Sequence, residues 1–420
     1  MRNAIFGILF TFLNGFLGHT QDNFASRPNS ALFPYIAEIQ LNDRLQINVT
    51  AAFSSINEKG LIIIFNGKEE YQLSVKKRIG DTLIYQFPAQ DAEWRIAFNE
   101  DFSEARGWWV NYNKKVPVRY PVHLYPGLRT LPNSTAASIP FDLTGRWKVV
   151  FQPGTANEEV LVGVFQQERG NFVYGSFLSE TGDYRFLHGY VSGNQLHLQT
   201  YTGYWAFVVE ATLKGDNEME GVFYSGGKSS TAFKAMKDET VQLRDEAELT
   251  YLIKRDERVV LNNLSKLNGR KTNLDLAKNG QVTLIQIMGT WCPNCIDEAN
   301  LLKELHAAYG KQGLEIIALG FEVGTDTKKQ RSRLKRFVKD LQVNYPVYLA
   351  GTSSKEAAAA YFPMLNGIMS FPTSILVDEQ GKIIAIHTGF SGPATGAAYT
   401  ELVNKYKQEI ENALEGANAD

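Results

Sequence analysis

The chain has 420 residues, 44% of them apolar and 21% charged, which are ordinary globular values and imply more than one domain. Lys and Arg number 43 against 45 Asp and Glu, a formal charge of −2, so no bulk basic attraction to nucleic acid or to a membrane surface is encoded. Only two cysteines are present, which excludes a disulfide-stapled scaffold.

The chain begins Met1-Arg2-Asn3 and continues with an apolar run through residues 4–17 that contains Phe6, Ile8, Leu9, Phe10, Phe12 and Leu13. One positive charge followed by a short apolar run is the pattern of a secretory signal, and the run is shorter than a bilayer span requires. Residues 1–21 are therefore expected to be a signal peptide cut between residues 18 and 21, and the chain to be exported. No cysteine stands there to carry a lipid anchor. A buried N-terminal strand or helix is the alternative.

Residues 31–138 read as an N-terminal antiparallel β domain. Residues 36–41 and 45–50 alternate apolar and polar, the period of a half-buried strand. Leu61-Ile62-Ile63-Ile64-Phe65 is a continuous apolar run, and Asn66-Gly67 after it is a hairpin signal. Further strands are expected at 83–87, 94–98 and 107–112. Trp108 and Trp109 are strand neighbours and point to opposite faces, so one is expected in the core and the other free. Residues 117–132 are proline-rich and extended, with a boundary expected at 135–139.

Residues 139–237 read as a second β unit. Strands are expected at 143–151, 160–166, 171–178, 184–191, 195–200, 205–213 and 219–224, often with glycine or asparagine between them. That spacing predicts a meander closed into a barrel or a sandwich. Gly145-x-Trp147 resembles the opening of lipocalin-like barrels, which would imply a small apolar ligand. A docking or scaffold module is the other reading.

Residues 238–260 are charged and polar and are expected to be a linker with a short helix. From 261 to 418 the pattern becomes α/β. A hairpin around Asn268-Gly269 leads to a buried strand at 282–288, then Gly289-Thr290-Trp291-Cys292-Pro293-Asn294-Cys295, then a helix at 296–309. A C-x-x-C between strand and helix is a dithiol redox motif. Cys292 would sit at the helix N-terminus, where unpaired N–H groups and the helix dipole favour the attacking thiolate. Cys295, one turn deeper, would resolve the mixed disulfide. A structural disulfide would close only a two-residue loop and stabilise little. Zinc would need further ligands, and His19, His123, His188, His197, His306 and His387 show no paired spacing. A peroxide-reducing thiol is a further reading, although the proline usual ahead of its cysteine is missing from Ile287-Met288-Gly289-Thr290.

Beyond that helix, residues 314–321 predict a strand parallel to the first, and residues 328–341 a helix with Leu334, Phe337, Val338 and Leu341 on its apolar stripe. Its other face carries Lys328, Lys329, Arg331, Arg333, Lys335, Arg336 and Lys339, either as a solvated face or as a dock for an acidic surface. Strands at 345–349, 374–378 and 383–387, a short helix at 354–361 and a helix at 397–414 complete the unit.

On Trp291-Cys292-Pro293-Asn294-Cys295, Glu298 and Phe371-Pro372-Thr373, residues 261–414 resemble the TlpA/ResA-like thiol-disulfide oxidoreductases of bacteria. The resemblance implies a thioredoxin-like fold behind the all-β half. It implies that Pro372 is cis and faces the dithiol, that Trp291 covers it, and that Glu298 lies buried near the thiols as a proton relay for Cys295. It further implies a periplasmic or cell-envelope reductase of protein disulfides, fed by a membrane-bound electron carrier and using no cofactor or metal. Oxidase, isomerase, or a ligand-binding barrel with a redox-sensing dithiol stand as alternatives. His306 and His387 are expected to have surface or packing roles.

Overall fold

The computed structural model describes residues 32–54, 60–113, 116–127, 141–168, 171–255, 257–278 and 280–417. The expected signal peptide and the expected boundary at 135–139 lie outside these residues.

Eight antiparallel strands close the first barrel: β1 (Phe33–Gln40), β2 (Gln46–Phe53), β3 (Leu61–Asn66), β4 (Glu69–Ile79), β5 (Thr82–Gln86), β6 (Ala92–Phe98), β7 (Ala105–Asn111) and β8 (Val118–Pro126). Alternation sets the inside, with Tyr35, Ala37 and Ile39 of β1 and Ile47, Val49 and Ala51 of β2 all buried. Trp109 is 2% exposed and its neighbour Trp108 48%, the expected split. The proline-rich stretch is more than an extended segment, because β8 pairs with both β7 and β1 and closes the ring. Pro121 is tolerated there with its ring facing solvent.

The second unit contains β9 (Gly145–Phe151), β10 (Glu159–Glu168), β11 (Phe172–Ser179), β12 (Gly182–Asp183), β13 (Leu187–Ser192), β14 (Gln195–Tyr201), β15 (Ala206–Leu213), β16 (Glu218–Ser225) and β17 (Ser229–Lys237). Pairing of β10 with β11 and of β17 with β9 closes it into a barrel, with the two-residue β12 paired onto β11. Its interior is filled rather than hollow. Phe151, Phe177, Phe223 and Phe233 pack ring against ring, and Trp147 is fully buried with its Nε1 donating to Leu143 O at 3.0 Å. The two barrels share a core. Tyr201 of β14 lies among the buried side chains of the first barrel and accepts a 2.7 Å hydrogen bond from Trp94 Nε1.

After a single 3₁₀ turn at Glu246–Glu248, the C-terminal unit comprises β18 (Val260–Lys266), β19 (Lys271–Asp275), β20 (Val282–Met288), α1 (Pro293–Tyr309), β21 (Leu314–Glu322), α2 (Thr327–Leu341), β22 (Val347–Thr352), α3 (Lys355–Ala359), β23 (Thr373–Val377), β24 (Ile383–Thr388) and α4 (Ala397–Ala417). The sheet runs β19-β18-β22-β21-β20-β23-β24, with β20, β21 and β22 parallel and β23 antiparallel to β20. This is an α/β thioredoxin-like sheet behind an all-β half. The basic face of α2 is partly docked within the chain: Arg333 and Arg336 pair with Asp91 of the first barrel, and Asp340 accepts the Ala89 N–H.

Candidate active site

Strand β20 is buried along its whole length and ends at the dithiol loop. Gly289 makes the turn feasible, because a Cβ there would lie 2.2 Å from the Trp291 indole, which folds back over the backbone. That indole donates from Nε1 to Phe321 O at 2.9 Å and meets Phe371 edge-on at 5.3 Å. The loop is braced from below by Glu322, fully buried at the end of β21, which accepts from Thr290 N and Thr290 Oγ1, both at 2.8 Å. Burial pushes the Glu322 carboxyl up, against the pull of the Thr290 donors.

Cys292 is the N-cap of α1, with Pro293 in the first turn. The Cys295 amide donates to Cys292 Sγ at 3.2 Å, and that sulfur reaches Phe371 O at 3.4 Å. Both cysteines are free thiols. Cys295 is fully buried, and its thiol is pushed well up by burial, then by the hydrogen bond and charge of Cys292, with Glu298 adding to the rise. The Phe371–Pro372 bond is cis and brings Phe371 O to the sulfur.

Glu298 lies one turn beyond Cys295 and is fully buried. Gln286 Nε2 donates to it at 2.8 Å, Ser374 Oγ at 2.8 Å and Tyr406 Oη at 2.9 Å. Burial raises its carboxyl, while those three donors and the charge of His387 oppose the rise. Gln286 also donates to Cys295 O at 3.1 Å, so one amide ties the carboxylate to the second cysteine. Tyr406 stacks on His387, with ring centroids 4.1 Å apart and 17° between planes. His387 is 1% exposed and lies between Glu409 (2.7 Å) and Glu246 (3.3 Å). Burial would lower its pKa, but the two carboxylates outweigh burial and raise it to about 9. The expected packing role for His387 thus understates it, since it is a buried cation two side chains from the dithiol. Sequence did carry one signal of this network: Gln286 is an amide side chain in a buried strand that is otherwise apolar except for Thr283. Nothing local marks Tyr406 or Glu322.

Cys292 is only 5% exposed, because the second barrel faces it. Both line a cavity of about 440 Å³, with Trp291, Cys292, Pro293 and Phe371 on one side and Tyr184, Trp205, Phe207 and Phe223 on the other. The hairpin that carries β12 is fastened down by several bonds. Asn294 Nδ2 donates to Asp183 O at 3.1 Å, Ser370 Oγ to Thr181 O at 2.8 Å, and the Gly392 N–H to the Asp183 carboxylate. Arg185, 5% exposed, pairs with Glu69 of the first barrel and Asp297 of α1, and donates to Pro293 O at 3.2 Å. One guanidinium therefore ties both barrels to the helix that bears the cysteines.

A dithiol at a helix mouth, with its second sulfur sealed above a buried carboxylate and a cis-proline loop opposite, defines the C-terminal unit as a thioredoxin-type dithiol domain. Comparison with known proteins narrows this. Residues 240–402 match the Redoxin family model. Thiol-disulfide oxidoreductase ResA of Bacillus thuringiensis is 32% identical over 121 residues, 29% of this chain and 62% of that protein. Thioredoxin-like protein YneN of Bacillus subtilis is 29% identical over 126 residues, 30% of this chain and 66% of that protein. A crystal structure of a putative thiol:disulfide interchange protein DsbE from Chlorobium tepidum aligns with 38% of this chain and 98% of its own, at 22% identity and a TM-score of 0.29. The C-terminal part of the chain is thus similar to ResA-like proteins of the thioredoxin superfamily, and it spans a little under two thirds of these curated relatives' own length.

Proposed function

We propose that the chain is an exported thiol-disulfide oxidoreductase that reduces protein disulfides. The observation that carries this reading is the asymmetry of the pair: Cys292 Sγ caps a helix, receives an amide N–H and lines a cavity, while Cys295 is fully buried beneath it. Cys292 attacks as the thiolate. Its sulfur displaces one sulfur of the substrate disulfide, a mixed disulfide forms, and the leaving thiolate takes a proton. Cys295 then gives up its proton and displaces the second substrate sulfur. The substrate gains two electrons and two protons, and Cys292 and Cys295 end as a disulfide. A membrane-bound dithiol donor resets the pair.

Glu298 accepts the Cys295 proton, a role supported by its burial one turn beyond Cys295 and by the upward push that its charge gives the Cys295 thiol. Pro372 shapes the substrate-facing loop and Trp291 covers the sulfurs. Export to the periplasm or cell envelope rests on the signal-like residues 1–21; among the described residues no helix is long and apolar enough to cross a membrane.

The direction of electron flow is tested by equilibrating the Cys292–Cys295 pair with glutathione. A reduction potential near about −270 mV supports a reductase, whereas one near about −120 mV marks an oxidant and overturns this direction.

A further inference from the structure

The aromatic end of the second barrel is unexplained by dithiol chemistry, which needs only the sulfurs, the helix mouth and a proton acceptor. Trp205 and Phe207 stack with centroids 5.1 Å apart and 29° between planes, and Phe223 and Tyr184 continue the wall. Across the cavity Met369 is 37% exposed. The barrel interior behind this wall is packed, so the apolar surface is not the entrance to an internal ligand cavity. It faces Cys292 across the cavity.

We infer that the mouth of the second barrel is the substrate-selecting half of the site and that it takes a large apolar, best an aromatic, side chain next to the target cysteine of an extended peptide. The inference rests on the dithiol reading above. Two observations choose this occupant. At 5% exposure, Cys292 is reached only by a segment narrow enough to enter between barrel and helix, which excludes a broad folded surface. The volume of about 440 Å³ falls within the range of about 300–1,000 Å³ typical of sites that enclose a ligand, and exceeds what a disulfide alone would fill. Much of the remaining wall is aromatic, formed by Tyr184, Trp205, Phe207 and Phe223, and rewards burial of an apolar side chain, while Ser225, Lys355 and Ser370 also line the cavity.

The test uses the full chain and two tetrapeptides, identical except for phenylalanine or serine before the cysteine, each capped as its mixed disulfide with mercaptoethanol. Reduction is followed by chromatography, with dithiothreitol as the recycling reductant. The wild type is expected to favour the phenylalanine peptide by about tenfold in kcat/KM. Trp205→Ala should bring that ratio close to one, and so should Met369→Ser, an exposed position where the fold is not at stake. Trp108→Ala, on the outside of the first barrel, should leave the ratio as it is. A wild-type ratio near one, a ratio unchanged in both mouth variants, or faster reduction of hydroxyethyl disulfide than of either peptide would overturn the inference. Hydroxyethyl disulfide also separates the two readings. If the wild type reduces it through Cys292 but shows no peptide preference, only the present inference falls; if Cys292→Ser reduces it as fast as the wild type, the dithiol reading falls as well.

Discussion

Replacing Arg185 with methionine tests whether the barrels and the redox domain form one unit. The side chain is 5% exposed, and its nitrogens meet Glu69, Asp297, Pro293 O and, at 3.3 Å, Tyr71 Oη. Asp183 stands close enough to feel the same charge. Three carboxylates thus share one guanidinium, and methionine fills the volume while leaving them without a cation. Removing one partner of a buried ion pair costs about 3–5 kcal/mol. At about 2–4 °C per kcal/mol for a unit of this size, the first calorimetric transition should fall by roughly 6–20 °C.

The loss should also depend on pH. Burial pushes Asp297 up to about 7, with Arg185 opposing, and Asp183 rises for the same reason. A carboxyl with a raised folded value binds more protons folded than unfolded. Its penalty is therefore absent below the ordinary carboxylate range near about 4 and develops as pH climbs towards the folded value. Without the guanidinium that value rises further, so Arg185→Met should be worse at pH 8 than at pH 5. Adding Asp297→Asn should restore part of the loss. A midpoint that moves by less than about 2 °C at either pH would refute the reasoning.

The remaining predictions concern the site and its supports. In Glu298→Gln, release of a trapped mixed disulfide at neutral pH should slow by about a hundredfold, the lower end of what a positioned proton acceptor contributes; an unchanged single-turnover rate and pH profile would remove Glu298 from the mechanism. His387, raised to about 9, lends stability that is whole below its unfolded value near 6.5 and is lost as pH rises through about 9. Glu246, brought down to about 2 where the His387 and Lys405 contacts outweigh burial, lends stability above its ordinary value of 4.5 that is lost as pH falls through about 2. Thermal stability should therefore decline from pH 6.5 to 9 by about 3 kcal/mol, and His387→Gln should flatten that limb of the pH curve. Gly182 has φ +133°, and a Cβ there would lie 2.2 Å from Asn294 Nδ2, so Gly182→Ala should cost about 1–3 kcal/mol of stability, read as a lower melting point.

Much of the C-terminal unit was legible because its signals are local. A buried strand, the C-x-x-C spacing and the helical stripe after it are read from adjacent residues, and β20, α1 and β21 lie where those residues predict. The barrels were legible as antiparallel strands but not in their closure. Strand β4 is largely exposed and carries little apolar pattern, and β17 alternates weakly, so neither stood out. In β8 the prolines obscured a strand whose partners lie far off in sequence. The site divides the same way. Cys292, Cys295 and Glu298 share one helix, so their proximity follows from spacing. Tyr406 reaches Glu298 across 108 positions, and Arg185 reaches Pro293 across the same span. No periodicity reports contacts of that kind. The partial covering of Cys292 by the second barrel is of that sort too, since it arises from packing between units.

The central claim is that Cys292 attacks and Cys295 resolves. Mass spectrometry of Cys292→Ser and Cys295→Ser, each mixed with a disulfide peptide at neutral pH, tests it most directly. The account predicts one stable mixed disulfide in Cys295→Ser, on Cys292, and an unmodified chain in Cys292→Ser. An adduct on Cys295 with Cys292 left bare would contradict it.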